Sequence, residues 1–538
     1  MAASLRALPW PARALLVVLS LAIVEALLLG GHLLHGGLYT DDWAWASIEH
    51  QEGISGLFNS LSSANRERPL GEIYGALTQA ISGTNPHLHA LWGLLTLLAA
   101  VSCLYLLLRM LSLRVRDALA IALLFMLFPF GDSGWLWYAA SYSYLAIALA
   151  ALGAALALVG LRHRGWAAVA AHGGAMLLFA ASVLTYQLAA GVICLSLLMY
   201  LPRTTRRQAV ALWLLDVGTV ALAAIAPRLI TGSAGAIADP IIPVSEQVTH
   251  AKLMADQGLT LLTAALVPFR GPHRNVVLPV ALLIACAGGA LAWRLGDAEP
   301  ALRRRLLRWL LLVAIGGLVI AAAYAVYVPA PINLYQPLGK GEENRVNVLA
   351  SLGYALIVYG LAMTLATSVL RLLRRRPAWV PALGLALVAL VLVGYVRRVR
   401  QDVNEWNRAG TLQRQELAEL RAAVRPPAGA TIYTFGGVGA TAPDVYVFRE
   451  TWDLNGAVQL LWNEAALRGY PIFTGTQMSC AATQVVPVGP SNGDGIDQAA
   501  SYGQAVFYDF ATGRMQRIDN AAQCARAVAA FVPGPVEA

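Results

Sequence analysis

The sequence predicts an all-α polytopic membrane protein of about eleven transmembrane helices, followed by a small C-terminal extracytoplasmic α/β domain. Three observations carry that expectation. Only 13% of the 538 residues are charged, 58% are hydrophobic and the mean hydropathy is +0.60; soluble domains carry about 25% charged residues. The apolar residues fall into runs near the roughly 20 that one bilayer crossing needs. After Val396 the composition turns polar and stays so to the end of the chain.

The first run, Ala14 to Gly30, follows a basic stretch with Arg6 and Arg13 and resembles a secretory signal. It lacks a small-x-small cleavage site, so a retained signal anchor is expected. Spans are expected near Ala12–Gly30, His87–Met110, Arg114–Phe130, Trp135–Val159, Trp166–Ala181, Ser182–Tyr200, Ala209–Ile230, Val276–Leu295, Leu306–Val328, Val346–Leu370 and Trp379–Val396. With the N-terminus cytoplasmic, every second loop is basic: Arg109, Arg114 and Arg116; Arg162 and Arg164; Arg203, Arg206 and Arg207; Arg303 to Arg305 and Arg308; Arg371 and Arg374 to Arg376. That alternation is the positive-inside pattern. It places the C-terminal domain outside and makes a multi-pass protein of a bacterial plasma (inner) membrane the expected setting. The net charge of +9 is thereby a topological signal, and no nucleic-acid partner is expected. Arg397, Arg398 and Arg400 break the pattern by falling on the outer side.

The outer loops then hold the mixed charges. Ala44–Phe58 and Leu70–Ile81 have helical spacing and suit helices lying in the interface, with Trp43 and Trp45 at headgroup depth. Thr260–Phe269 is similar, or re-entrant. The transmembrane domain is expected over 1–400 with a first outer loop over 38–86, a helical linker over 401–427 and the soluble domain over 428–538. In the last, Thr431–Phe435 reads as a strand, Leu454–Leu467 as a helix, Ala505–Phe510 and Met515–Ile518 as a hairpin around Thr512-Gly513, and Ala521–Phe531 as a closing helix. Cys480 and Cys524 are the two cysteines of this domain and can pair on an oxidising face, or remain as two buried thiols. The five cysteines and nine histidines show no metal-site spacing.

The chemistry concentrates in Leu38-Tyr39-Thr40-Asp41-Asp42-Trp43-Ala44-Trp45, directly after the first apolar run. A carboxylate at the membrane boundary can serve as general base toward a hydroxyl, and a pair can divide base and positioning roles. The same loop continues to Arg66-Glu67-Arg68-Pro69-Leu70. This layout resembles the GT-C superfamily of polyprenyl-phosphate-sugar-dependent glycosyltransferases, which includes the protein O-mannosyltransferases and the bacterial aminoarabinose and arabinosyl transferases. The Asp-Asp pair departs from the Asp-Glu form of the mannosyltransferases, which leaves open which carboxylate is the base.

The resemblance implies a GT-C-like fold and an inverting sugar transfer from a polyprenyl-phosphate donor to a hydroxyl on a lipid, glycan or protein acceptor at the outer face. Asp41 and Asp42 would be catalytic. The leaving phosphate needs cations, for which Arg66, Arg68, Lys340 and Arg345 are candidates by type and placement. Trp43, Asp132, Tyr186, His273 and Glu343 are candidates for lining the site. A divalent metal at Asp41 and Asp42 is an alternative known from the oligosaccharyltransferase branch. Two carboxylates are a poor cage for a hard cation, so no obligatory cofactor is expected. Besides donor and acceptor, the partners are membrane lipids. Two other readings compete: a transporter or flippase of lipid-linked sugars, which would need mid-membrane charges beyond Glu25 and Asp216, and a non-catalytic scaffold for envelope glycan assembly.

Overall fold

Eight helices are long and apolar enough to cross a membrane among the residues that the computed structural model describes, namely 10–64, 66–231, 241–269, 274–295, 299–331, 335–373, 377–488 and 499–535. They are α4 (Pro86–Met110), α6 (Tyr142–Gly160), α7 (Trp166–Thr185), α8 (Arg206–Thr231), α10 (Arg274–Leu295), α11 (Pro300–Ala325), α12 (Ala350–Leu372) and α13 (Val380–Ala423). The chain is thus a multi-pass membrane protein with an α/β domain at its C-terminus.

The other three expected spans differ from the eight. The first is α1 (Trp10–Leu29), whose described apolar stretch begins at Ala14. The third is a 12-residue helix, α5 (Val115–Met126), about 18 Å long and too short for a core of about 30 Å. Pro129 and Gly131 end it, and the chain folds irregularly through a buried region to Ser141; such backbone is tolerated at membrane depth only inside protein. The sixth, Gln187–Tyr200, is a short apolar helix that alternates between 3-10 and α turns and is, at 14 residues, too short to span. It lies so close to α11 that a Cβ on Gly191 would sit 2.1 Å from the Ala322 carbonyl oxygen.

The first outer loop forms two helices, as its spacing suggests. α2 (Asp41–Ala64) is broken at Gly53, whose φ is +71°, and α3 is Pro69–Ser82. The segment around Thr260 is part of a 23-residue helix, α9 (Val244–Leu266), much longer than the interfacial piece expected. α13 runs unbroken for 44 residues, about 66 Å, so the linker beginning at residue 401 is the continuation of the last span.

The C-terminal unit has a four-stranded sheet in the order β4-β1-β8-β9: β1 (Thr431–Phe435) lies parallel to β4 (Arg468–Pro471) and β8 (Ala505–Asp509), and β9 (Arg514–Ile518) returns antiparallel. Gly513, at φ +66°, makes the β8–β9 turn. β2 (Ala440–Ala442) and β3 (Val445–Tyr446) pair by themselves, and β5 (Gln477–Cys480), β6 (Gln484–Val488) and β7 (Ala500–Ser501) form a third sheet. α14 (Thr451–Trp462) starts three residues before the expected helix because Glu450 and Asp453 form a capping box, and it ends at Asn463 in the left-handed region. α15 is Ala521–Ala530. A disulfide joins Cys480 to Cys524 with the Cα atoms 5.8 Å apart, tying β5 to α15.

One apolar core extends from Leu97 and Tyr354 in the spans through Trp406 to Val447, Leu454 and Val506. A second, around Tyr433, Phe435, Phe507 and Phe531, belongs to the sheet. The C-terminal unit therefore shares its packing with the membrane part on the side of the first loop.

Candidate active site

The acidic pair sits where three elements meet. Before it, Gly37 crosses α13 at Gly410 so closely that a Cβ on Gly37 would be 2.7 Å from the Gly410 Cα. The Tyr39 hydroxyl accepts from Gly37 N and donates to the Trp406 carbonyl at 2.9 Å, and its ring meets Trp406 edge-on at 4.7 Å. Thr40 then takes φ +40°, a conformation that β-branched residues rarely adopt and that carries strain. This kink turns the chain into α2 with Asp41 and Asp42 in its first turn.

The two carboxylates have different surroundings. Asp42 is fully buried and accepts from Tyr39 N and from Ala139 N, each at 3.0 Å. Burial pushes its carboxyl well above the usual carboxylate range, with Asp41 adding repulsion and the two amides opposing. It joins the kink to the irregular 127–141 segment. Asp41 is half-buried and lies within electrostatic reach of Glu342 and of the Tyr142 phenol, which also feels Arg68, Tyr186 and Arg345. Asp41 is thus the acidic residue of the pair that faces the other charged groups.

The cations of the sequence reading divide sharply. Arg68 begins α3, held by a close approach of Gly71 to the Thr185 carbonyl and by Gln187 Nε2 donating to the Glu67 carbonyl at 2.7 Å. Its guanidinium donates to Gln187 Oε1 at 3.2 Å, Tyr142 OH at 3.3 Å and Tyr335 OH at 3.0 Å, and lies 4.4 Å over the Tyr186 ring. None of these partners is a carboxylate. Arg345 instead reaches Glu342 and Glu343, each at 3.2 Å, and lies 5.2 Å over Trp137. Lys340 is held by Glu405 at 2.9 Å and Asp402 at 3.7 Å on α13. Arg66 is half-buried and makes no hydrogen bond or ion pair among the described residues.

The loop before α12 is fixed from below. Asn344 donates to Asp132 Oδ1 at 2.7 Å and accepts from Ser133 N at 2.9 Å. Asn347 donates to the Phe130 and Leu338 carbonyls at 2.7 Å. His250 on α9 reaches the Ala330 and Tyr335 carbonyls, which places Tyr335 beside Arg68. Asp132 is buried under this loop, and burial raises its carboxyl to about 7. Burial also raises Glu342, to about 8, with Arg345 opposing and Asp41, Glu343 and Glu450 adding repulsion. One guanidinium among so many acids balances one of them, so the Glu342 carboxyl keeps its proton near neutral pH.

The C-terminal domain closes the far side. A Cβ on Gly456 would lie 2.4 Å from the Trp43 carbonyl oxygen, Ser47 Oγ donates to Gln459 Oε1 at 2.7 Å, and Trp43 packs on Phe448 at 5.9 Å. The Glu342 amide donates to the Asp444 carbonyl at 2.8 Å, and Arg449 lies 4.4 Å over Tyr446 and bonds its hydroxyl. Tyr142, Tyr335 and this 444–456 stretch are the site residues that the sequence reading missed. His273 lies outside the described residues. Among those described, no three His, Cys, Asp or Glu side chains are grouped to hold a metal ion. Of the mid-membrane acids, Asp216 accepts from Tyr200 OH at 2.7 Å and lies 3.4 Å from His172, and Glu25 is buried in α1.

No family model matches the sequence, and no curated protein does. Among solved structures the chain is similar to the archaeal oligosaccharyltransferase AglB from Archaeoglobus fulgidus, in complex with an inhibitory peptide and a dolichol-phosphate. The identity is 13% and the TM-score 0.41, covering 86% of this chain and 65% of that one. The Archaeoglobus fulgidus oligosaccharyltransferase in its apo form gives 12%, 0.40, 85% and 64%. The chain spans less than two thirds of the length of either. At these values the likeness transfers no residue assignment, and the chemistry follows from this chain's own geometry.

Proposed function

We propose that the protein is a membrane glycosyltransferase that moves a sugar from a polyprenyl-phosphate carrier to a hydroxyl acceptor, with Asp41 as general base. The observation that carries this reading is the pairing of a half-buried acid with a guanidinium whose hydrogen-bond partners are neutral, around one phenol, Tyr142. An inverting transfer needs both: a base for the acceptor proton and a permanent cation for the leaving phosphate. Asp41 would take the proton as the acceptor oxygen forms its bond to the anomeric carbon. The bond from that carbon to the phosphate oxygen breaks, and its electron pair leaves with the lipid phosphate. Arg68 has its fork already oriented by Gln187, Tyr142 and Tyr335, and a phosphate would complete its charge balance. Lys340 and Arg345 hold the loop through their own acids. The N-terminus of α2 favours a negative charge on Asp41. Asp42 would set the Asp41 backbone. The active side would be the extracytoplasmic one.

The test is label transfer in proteoliposomes from a panel of polyprenyl-phosphate sugars to native membrane acceptors. Asp41→Asn is expected to lower turnover by roughly 10²- to 10⁴-fold with donor binding retained. Asp42→Asn is expected to reduce thermal stability as well as rate. An Asp41→Asn protein that transfers label at the wild-type rate would remove the proposed base, and with it the reaction.

A further inference from the structure

Two of the three arginines that break the positive-inside pattern, Arg397 and Arg400, line a surface that the catalytic reading leaves unused. Along α13, Val393, Arg397, Arg400, Asn404 and Arg408 are all exposed, and their spacing of three and four places them on one helix face. With Val396, Gln401 and Glu405 they border a shallow, largely open groove along that one helix. It is apolar at Val393 and Val396 and turns basic at Arg397, where the apolar part of the span ends. This is the depth of the phospholipid headgroups, on the side of the membrane that carries the C-terminal domain.

The charge in the groove is unbalanced. Among the described residues, Arg397, Arg400 and Arg408 form no ion pair. The acid that lines the groove, Glu405, is held by Lys340 Nζ through both its oxygens, at 2.9 and 3.0 Å, and by Gln401 at 3.2 Å. Lys340 therefore neutralises Glu405 from behind and leaves the arginines without a counter-charge. Their neighbour Arg398 turns the other way, donating to the Pro268 carbonyl at 2.7 Å and packing 5.8 Å over Phe130. The basic face is built on a rigid helix and touches the loop before α12 through the Glu405–Lys340 pair.

We propose that this groove binds the headgroup of an anionic phospholipid of the surrounding bilayer, with Arg397 and Arg400 gripping the phosphate and an acyl chain lying on Val393. Two adjacent forks match phosphate oxygens, and the apolar floor continuous with the span suits a chain that a soluble anion lacks. Such a lipid would brace the junction at which the last span enters the C-terminal domain.

Native mass spectrometry of the full chain in detergent tests this. The probes are phosphatidylglycerol, phosphatidylcholine of the same acyl chains, a polyprenyl phosphate and inorganic phosphate as competitor. The wild type is expected to retain phosphatidylglycerol over phosphatidylcholine. Arg397→Gln with Arg400→Gln is expected to weaken that retention by roughly tenfold or more, since each interfacial arginine contributes about five-fold. Arg421→Gln, on the same helix beyond the groove, is expected to change nothing. Both arginines are exposed, so unchanged melting of the double variant in phosphatidylcholine certifies its fold. Equal retention of phosphatidylglycerol by wild type and double variant would overturn the proposal. So would its displacement by millimolar inorganic phosphate, or a preference of the groove for polyprenyl phosphate over phosphatidylglycerol.

Discussion

Two arginines about the same site show how one residue type serves two ends. Arg68 is surrounded by three phenols and an amide, while Arg345 is clamped between two glutamates over an indole. Both act electrostatically on the Tyr142 phenol, as Asp41 does. The first is oriented by neutral partners, with the Glu72 carboxyl within electrostatic reach, and the second is spent on its own loop. A guanidinium buried with its acid contributes mainly by not being removed, because deleting one partner leaves the other charged in low dielectric. A guanidinium buried among neutral acceptors keeps its charge for an incoming anion.

The largest expected effects separate these roles. Arg68→Gln is expected to raise the donor KM about 10- to 100-fold, the value of hydrogen bonds to a charged group, with little change in melting temperature. Arg345→Gln is expected to cost about 3 kcal/mol of stability by stranding Glu343, seen as a lowered midpoint in a thermal melt. Equal effects of the two on KM would collapse the distinction. A smaller effect, on the order of 1–3 kcal/mol, is expected for Gly456→Ala, whose methyl would press on the Trp43 carbonyl at 2.4 Å. It is expected to lower turnover with stability, because the contact is carried by the helix that starts at Asp41.

Much of the scaffold was legible from local pattern. The long apolar runs, the two first-loop helices, β1 and the β8–β9 hairpin follow from periodicity, turn residues and charge placement, all of which act over a few residues. The short α5 and the fragmented Gln187–Tyr200 segment escaped because their apolar composition matches a true span, whereas their shape depends on what packs around them. The roles of the cations escaped for the same reason. Lys340 finds Asp402 and Glu405 on a helix that read as a linker, and Arg68 finds Tyr335 on a loop 267 positions away. Whether a cation is compensated depends on such distant pairings, and a single sequence does not show them. Asp41 and Asp42 are adjacent in sequence yet differ because α2 starts between them and the 127–141 segment, turning one carboxyl inward to two amides.

The smallest expected effect concerns the acid that shares Arg345. Glu342 titrates near 8 in the folded protein against an ordinary value of 4.5, chiefly through burial. A raised carboxyl binds a proton more tightly when folded. Its contribution to stability is therefore fully present below pH about 4.5, declines as pH rises and is lost by about 8. Above that point a second negative charge stands beside Asp41. Wild type is expected to lose melting temperature between about pH 5 and 8, and Glu342→Gln, which cannot ionise, to lose less. The same substitution is expected to remove an inflection near pH 8 from the transfer rate while leaving Arg68-dependent donor binding unchanged. If the inflection survived in Glu342→Gln, the titrating group would belong elsewhere. Arg345 would then be compensated by two ionised glutamates, and its contrast with Arg68 would be one of full charge balance and not of a shared proton.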